Sequence, residues 1–143
     1  MYIISACLLG ENCKYNGGNN LNEKVMEIVK NRNYIAVCPE VAVGFPTPRP
    51  PAEIRGGRVY NIEGNDVTEE FEKGAAMELA RAKELADRLG EDIELAILKS
   101  NSPSCGCGRI YDGTFTHRLV PGDGIFARLL KENGIKTISE EES

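Results

Sequence analysis

Five cysteines carry most of the chemistry available to this 143-residue chain: Cys7, Cys13, Cys38, Cys105 and Cys107. An odd count cannot close into a full set of intrachain disulfides, and thiols in a cytoplasmic protein serve metals or reactions more often than cross-links. There is one histidine, His117, so a metal site would rest on thiolates, with carboxylates in support. Neither close pair has the Cys-x-x-Cys spacing of zinc ribbons or redox motifs, since Cys7 and Cys13 are six apart and Cys105 and Cys107 two. Three of the five share a context. Cys7 follows the first apolar run, Cys38 ends the second and Cys105 lies in the loop after the third. Three thiolates brought together suit a [4Fe–4S] cluster with one iron left open. The same three, closed by Cys13, Cys107 or Glu40, would also serve zinc. A persulfide carried on Cys13 or Cys107 is a third chemistry open to these residues.

Whether those cysteines meet depends on the elements that carry them. Residues 2–6 form a short apolar run rich in β-branched and aromatic residues, read as a buried strand. A Gly- and Asn-rich loop follows, and Asn20 is expected to cap a helix with Glu23 in capping-box position. Tyr34–Val37 is a second strand, ending at Cys38-Pro39-Glu40. Residues 44–52 hold four prolines and read as an ordered extended loop, with Arg49 in a pocket wall; Ile54 to Ile62 suggests a hairpin. Asp66 is expected to open the longest helix, to about Leu89, with Gly90 as its stop. Ile93–Leu98 is a third strand, residues 110–113 an irregular piece, and Ile135–Ile138 a fourth strand after a helix beginning at Asp123 or Gly124. That helix follows a Pro121–Gly124 turn, and its N-terminus is a place where an anion could lie.

This order predicts one α/β domain over residues 1–143. It is a three-layer αβα arrangement with a mainly parallel, four-stranded, Rossmann-like sheet and a small β-hairpin insertion. In such a sheet, ligands bind outside the carboxyl ends of the strands near the switch point, which is where Cys7, Cys38 and Cys105 fall. The hydrophobic content of 41% is enough for a core, and no run approaches the length of a membrane helix. The N-terminus lacks the basic flank of a signal peptide, so the chain is expected to be cytoplasmic. A net charge of −5, with 17 Lys and Arg spread along the chain, argues against a broad nucleic-acid face, so tRNA is a possible partner that the charge does not support.

Six segments in order resemble the thiouracil desulfurase family. They are Cys7-Leu8-Leu9-Gly10 with Cys13-Lys14-Tyr15-Asn16-Gly17; Cys38-Pro39-Glu40; Gly44-Phe45-Pro46-Thr47-Pro48-Arg49-Pro50-Pro51-Ala52-Glu53-Ile54; Gly64-Asn65-Asp66-Val67-Thr68 with Phe71, Lys73, Gly74 and Ala75; Leu98-Lys99 with Ser102-Pro103-Ser104-Cys105-Gly106; and Ile110-Tyr111-Asp112-Gly113-Thr114-Phe115. The resemblance covers nearly the whole chain. It implies a [4Fe–4S] cluster held by Cys7, Cys38 and Cys105, prone to loss or oxidation in aerobic preparations. It also implies a non-redox desulfuration of a thiolated base or nucleoside, in which the thiocarbonyl sulfur binds the open iron, water attacks the carbon and sulfide leaves. The sequence departs from the family's usual pattern at Asn16, at Ser100-Asn101 and in the additional thiol Cys107.

Water attack needs a base, and Glu40, two residues past a ligand, is the best-placed carboxylate. Ser102 and Ser104, flanking Pro103 just before Cys105, can hydrogen-bond a substrate or a cluster sulfide, or can simply build the turn. Lys99, Asp112 and His117 are weaker candidates, and His117 is given no role.

Overall fold

A computed structural model describes residues 1–143. The central sheet holds β1 (Tyr2–Ser5), β2 (Tyr34–Val37), β5 (Leu95–Leu98) and β8 (Thr137–Ser139) in the order β2-β1-β5-β8, every pair parallel. The two central strands, β1 and β5, are short and buried on both faces, so their alternate residues feed two different cores. Ile3, Ala96 and Leu98 point into one, while Ile4 and Ile97 point into the other.

One face is covered by α1 (Glu23–Val29), whose Val25 and Val29 pack with Ile4, Leu8 and Ile97. The opposite face is covered by α3 (Thr68–Leu89) and α4 (Ile125–Glu132). They bury Phe71, Ala75, Leu79, Ala82, Phe126 and Leu130 against the sheet. These apolar residues recur at steps of three and four, the spacing that puts a single stripe of a helix against a sheet. The expected three-layer αβα domain with a parallel Rossmann-like sheet is therefore observed. No helix is long and apolar enough to cross a membrane.

Several local expectations are corrected. The cap of α1 is Asn22, whose side chain accepts the Val25 N–H at 3.0 Å, and Asn20 instead donates from Nδ2 to Cys7 Sγ at 3.5 Å. Helix α3 begins at Thr68, two residues after Asp66; Asp66 Oδ1 still accepts the Thr68 N–H at 3.0 Å and so works as a start signal from outside the helix. The third strand begins at Leu95 and the fourth spans Thr137–Ser139. The expected hairpin is β3 (Ala52–Arg55) with β4 (Arg58–Asn61). The irregular piece at 110–113 instead opens with β6 (Arg109–Tyr111), which pairs antiparallel with β7 (Leu119–Pro121). Its short strands have no alternating pattern long enough to announce them. A four-residue helix, α2 (Pro39–Ala42), starts directly on Cys38, with Pro39 at its first position, where a missing N–H costs nothing.

Candidate active site

The sheet order reverses between β1 and β5, and a cavity of about 300 Å³ opens beyond the carboxyl ends of these strands. Cys7, Cys13, Cys38 and Cys105 all line it, as do Glu40, Arg49, Lys99 and Ser102. The three predicted ligands arrive on different elements. Cys7 sits in a 3-10 turn (Ala6–Leu9) leaving β1, Cys38 is the residue on which α2 starts, and Cys105 follows β5 in a tight loop. Cys7 packs with the α1-side core and Cys105 with the α3/α4-side core, so the cavity straddles the end of the sheet.

The loop holding Cys105 is built by Ser102, whose Oγ accepts the N–H groups of both Ser104 and Cys105 at 3.0 Å. Gly124 lies so close behind it that a Cβ there would stand 2.5 Å from the Ser104 carbonyl oxygen. The Cys38 turn is held from α3: Glu78 Oε2 accepts the Cys38 N–H at 2.9 Å, and Arg81 pairs with Glu78 while donating to the Ala36 carbonyl at 2.7 Å.

All five thiols are free. The Cys13 thiol donates toward both Cys7 and Cys38. That hydrogen bond is the main cause lowering the Cys7 thiol to about 7 and also lowers Cys38, while Cys13 itself is pushed far up. Cys105 is raised well above the ordinary thiol value, first by burial and further by the charges of Cys7, Cys38 and Glu40. The three ligand candidates thus sense one another's charge, and cationic iron would relieve that repulsion. No group of three or more His, Cys, Asp or Glu side chains gathers around a single ion position. A zinc site needs four donors about one point, whereas a cubane holds each thiolate on a different iron. The donor set therefore fits a cluster better than a zinc ion. The raised Cys13 and Cys107 thiols are likewise poor persulfide nucleophiles.

Glu40 enters the cavity beside Cys38. Its Oε1 is 3.5 Å from Arg49 Nε, and Ser104 Oγ donates to its Oε2 at 3.4 Å. Burial raises its carboxyl, against the pull of Arg49 and Ser104. Arg49 is itself almost enclosed and also donates to the Cys13 carbonyl at 2.8 Å, tying the Pro-rich segment to the Cys13 loop. Ser104 is buried behind Glu40, outside the cavity lining. Lys99 Nζ bonds Ser100 and pairs with Glu140 at 3.4 Å, and Asp112 lies outside the lining. Three residues of the wall were given no role in the site by sequence reasoning. Asn20 reaches Cys7, Glu53 lies on β3, and His117 stacks edge-on against Tyr111 with ring centroids 5.3 Å apart. Of the three, only Glu53 lies within one of the six segments, and Asn20 and His117 lie just beyond the ends of two others.

The family model described as 2-thiouracil desulfurase matches residues 2–142. The chain belongs to the 2-thiouracil desulfurase family. Among relatives, the uncharacterized protein YbbK of Bacillus subtilis (strain 168) is 43% identical over 152 residues, covering 99% of this chain and 97% of its own. A solved structure of the [4Fe-4S]-dependent thiouracil desulfidase TudS is 42% identical, with a TM-score of 0.85 over 99% of this chain and 91% of that one. The αβα frame and its strand-end cavity are thus the frame of a thiouracil desulfurase.

Proposed function

We propose that this member of the thiouracil desulfurase family removes sulfur from a thiolated pyrimidine, releasing it as sulfide and leaving a carbonyl, with a [4Fe–4S] cluster held by Cys7, Cys38 and Cys105. The observation that carries the reading is the meeting of three thiols from three strand ends with one ion-paired carboxylate in a single cavity. The likeness to TudS supports the cofactor. When bound, the cluster supplies an open iron that acts as a Lewis acid toward the thiocarbonyl sulfur.

The chain's own residues handle water and protons. The net change converts C=S and H₂O into C=O and H₂S, so a proton must leave the attacking water and protons must reach the departing sulfur. Glu40, as the anion, accepts the proton from water, and its raised carboxyl makes it a stronger base than an exposed glutamate. Arg49 and Ser104 hold that carboxylate from two sides. Ser102 acts by fixing the Cys105 turn. Cys13, donating toward two ligand candidates, favours their deprotonated form, which is the form that iron takes.

The test is anaerobic reconstitution with iron and sulfide, then incubation with 2-thiouracil and with 4-thiouridine and assay of released sulfide. Turnover of either supports the reading. A fully loaded protein that releases sulfide from neither contradicts it, and a colourless protein that takes up zinc instead would favour the metal-module alternative.

A further inference from the structure

Glu53 is a carboxylate that the reaction described above does not use. It lies on β3, is 7% exposed and lines the cavity. Its Oε1 accepts two backbone N–H groups, from Gly113 at 3.0 Å and Phe115 at 3.1 Å. No lysine or arginine pairs with it. Its Oε2 has no protein partner, yet is not sealed from solvent. A nearly buried carboxylate with half of its acceptor capacity unused is costly unless a donor arrives from outside the protein. The loop it anchors carries the Tyr111–His117 pair, whose rings meet edge to face at 84° in the same cavity wall. That loop is fixed tightly: Gly113 has φ +92, and a Cβ there would stand 2.6 Å from Arg55 Cβ. Carboxylate and aromatic pair therefore form one unit in the wall of the cavity that the thiols also line.

We propose that Glu53 is the substrate-reading carboxylate of this cavity, accepting a ring N–H of the thiolated pyrimidine on Oε2 while Oε1 holds the Gly113–Phe115 loop. This deepens the desulfurase reading and rests on it. A thiouracil ring presents N–H donors on the edge that also carries the thiocarbonyl, and a charged acceptor makes the stronger kind of hydrogen bond with them. Tyr111 and His117 then bound the ring beside its edge. The arrangement selects rings with an N–H over rings whose nitrogen is an acceptor, because the latter would leave the carboxylate unpaired.

Glu53→Gln separates anchoring from reading. Its amide oxygen can still take the Gly113 and Phe115 N–H groups, while its NH₂ turns a donor toward the cavity. With the iron-loaded enzyme we expect wild-type iron content and a roughly 10- to 100-fold weaker binding of uracil by calorimetry, with a matching rise in KM for 2-thiouracil, the range a charge-assisted hydrogen bond supplies. The preference for 2-thiouracil over 1,3-dimethyl-2-thiouracil, which has no ring N–H, should fall at least tenfold. An unchanged preference in a loaded Glu53→Gln enzyme overturns the proposal, whatever its overall rate. The wild-type enzyme gives a variant-free test: 1,3-dimethyluracil, which lacks both N–H groups, should bind at least tenfold more weakly than uracil, and equal binding also overturns it. Failure of wild-type enzyme to release sulfide from 2-thiouracil would instead count against the desulfurase reading, and is scored separately from the uracil titration.

Discussion

The backbone N–H of Cys38 donates to Glu78 Oε2 at 2.9 Å, linking a ligand candidate to a carboxylate 40 residues away on α3. Glu78 is buried, while its partner Arg81 is half exposed, so removing the carboxylate leaves an orphaned N–H but not a trapped cation. Glu78→Leu should therefore destabilise the cluster-free chain by about 1–3 kcal/mol and speed loss of iron to a chelator. Glu78→Gln keeps an acceptor oxygen and should lie between it and wild type on both counts. Urea unfolding and iron release give the two numbers; identical behaviour of Leu and Gln would show that this contact does not hold the turn.

Gly74 sits one turn before Glu78 against the same segment, and a Cβ there would fall inside the van der Waals envelope of the Pro39 carbonyl oxygen. Replacing glycine by alanine inside a helix ordinarily stabilises by up to about 1 kcal/mol. Here overpacking against rigid backbone should win, with Gly74→Ala costing about 1–3 kcal/mol net and displacing Glu40 enough to lower turnover. Alanine at exposed Glu72 is the control. A Gly74→Ala protein with a raised melting temperature would refute the tight seating of α3 on α2.

The hydrogen bond from Cys13 lowers the Cys7 thiol to about 7. Cys13→Ala removes that donor, so the Cys7 thiol should move back up toward the ordinary value of 9.0. In cluster-free protein near neutral pH, Cys7 should then be alkylated several-fold more slowly, in proportion to its smaller thiolate fraction. Peptide-resolved alkylation rates across pH measure this directly. Unchanged or faster alkylation of Cys7 would contradict the shared proton.

Burial raises the Glu40 carboxyl, so the folded chain holds this proton more tightly than the unfolded chain does. For such a group the linkage runs opposite to a salt-bridged carboxylate. Charging it opposes folding above the raised value, and that cost is relieved as pH falls through the raised value toward the ordinary 4.5. The stability of wild type relative to Glu40→Gln should thus improve on acidification, while turnover falls as the base is protonated. Parallel unfolding and sulfide-release series in pH check both signs, and the Gln variant should show little turnover at any pH.

The sheet and its helices were legible because their apolar residues recur at the periods that strands and helices need, as in Tyr34–Val37 and the Phe71–Ala86 stripe. The gathering of Cys7, Cys38 and Cys105 followed from strand order, because parallel strands deliver their following loops to one edge. The β6–β7 pair was missed, because three-residue strands carry too little pattern. Asn20 was misassigned because two asparagines stand within reach of the helix start and only geometry shows that Asn22 caps it. Glu78 and Glu53 were invisible as site residues for another reason. One lies mid-helix and one on a hairpin, and what makes each matter is a backbone N–H distant in sequence.

The central claim is that Cys7, Cys38 and Cys105, and no other thiols, hold the cluster. Its most direct test is iron and acid-labile sulfide content of the anaerobically reconstituted wild type and the five single Cys→Ser variants, measured beside sulfide release from 2-thiouracil. Wild type, Cys13→Ser and Cys107→Ser should bind about four irons per chain with the brown colour of a cubane, whereas Cys7→Ser, Cys38→Ser and Cys105→Ser should lose both stable loading and turnover. Full loading and turnover in any one of those last three, or loss of the cluster in Cys107→Ser, would contradict the assignment.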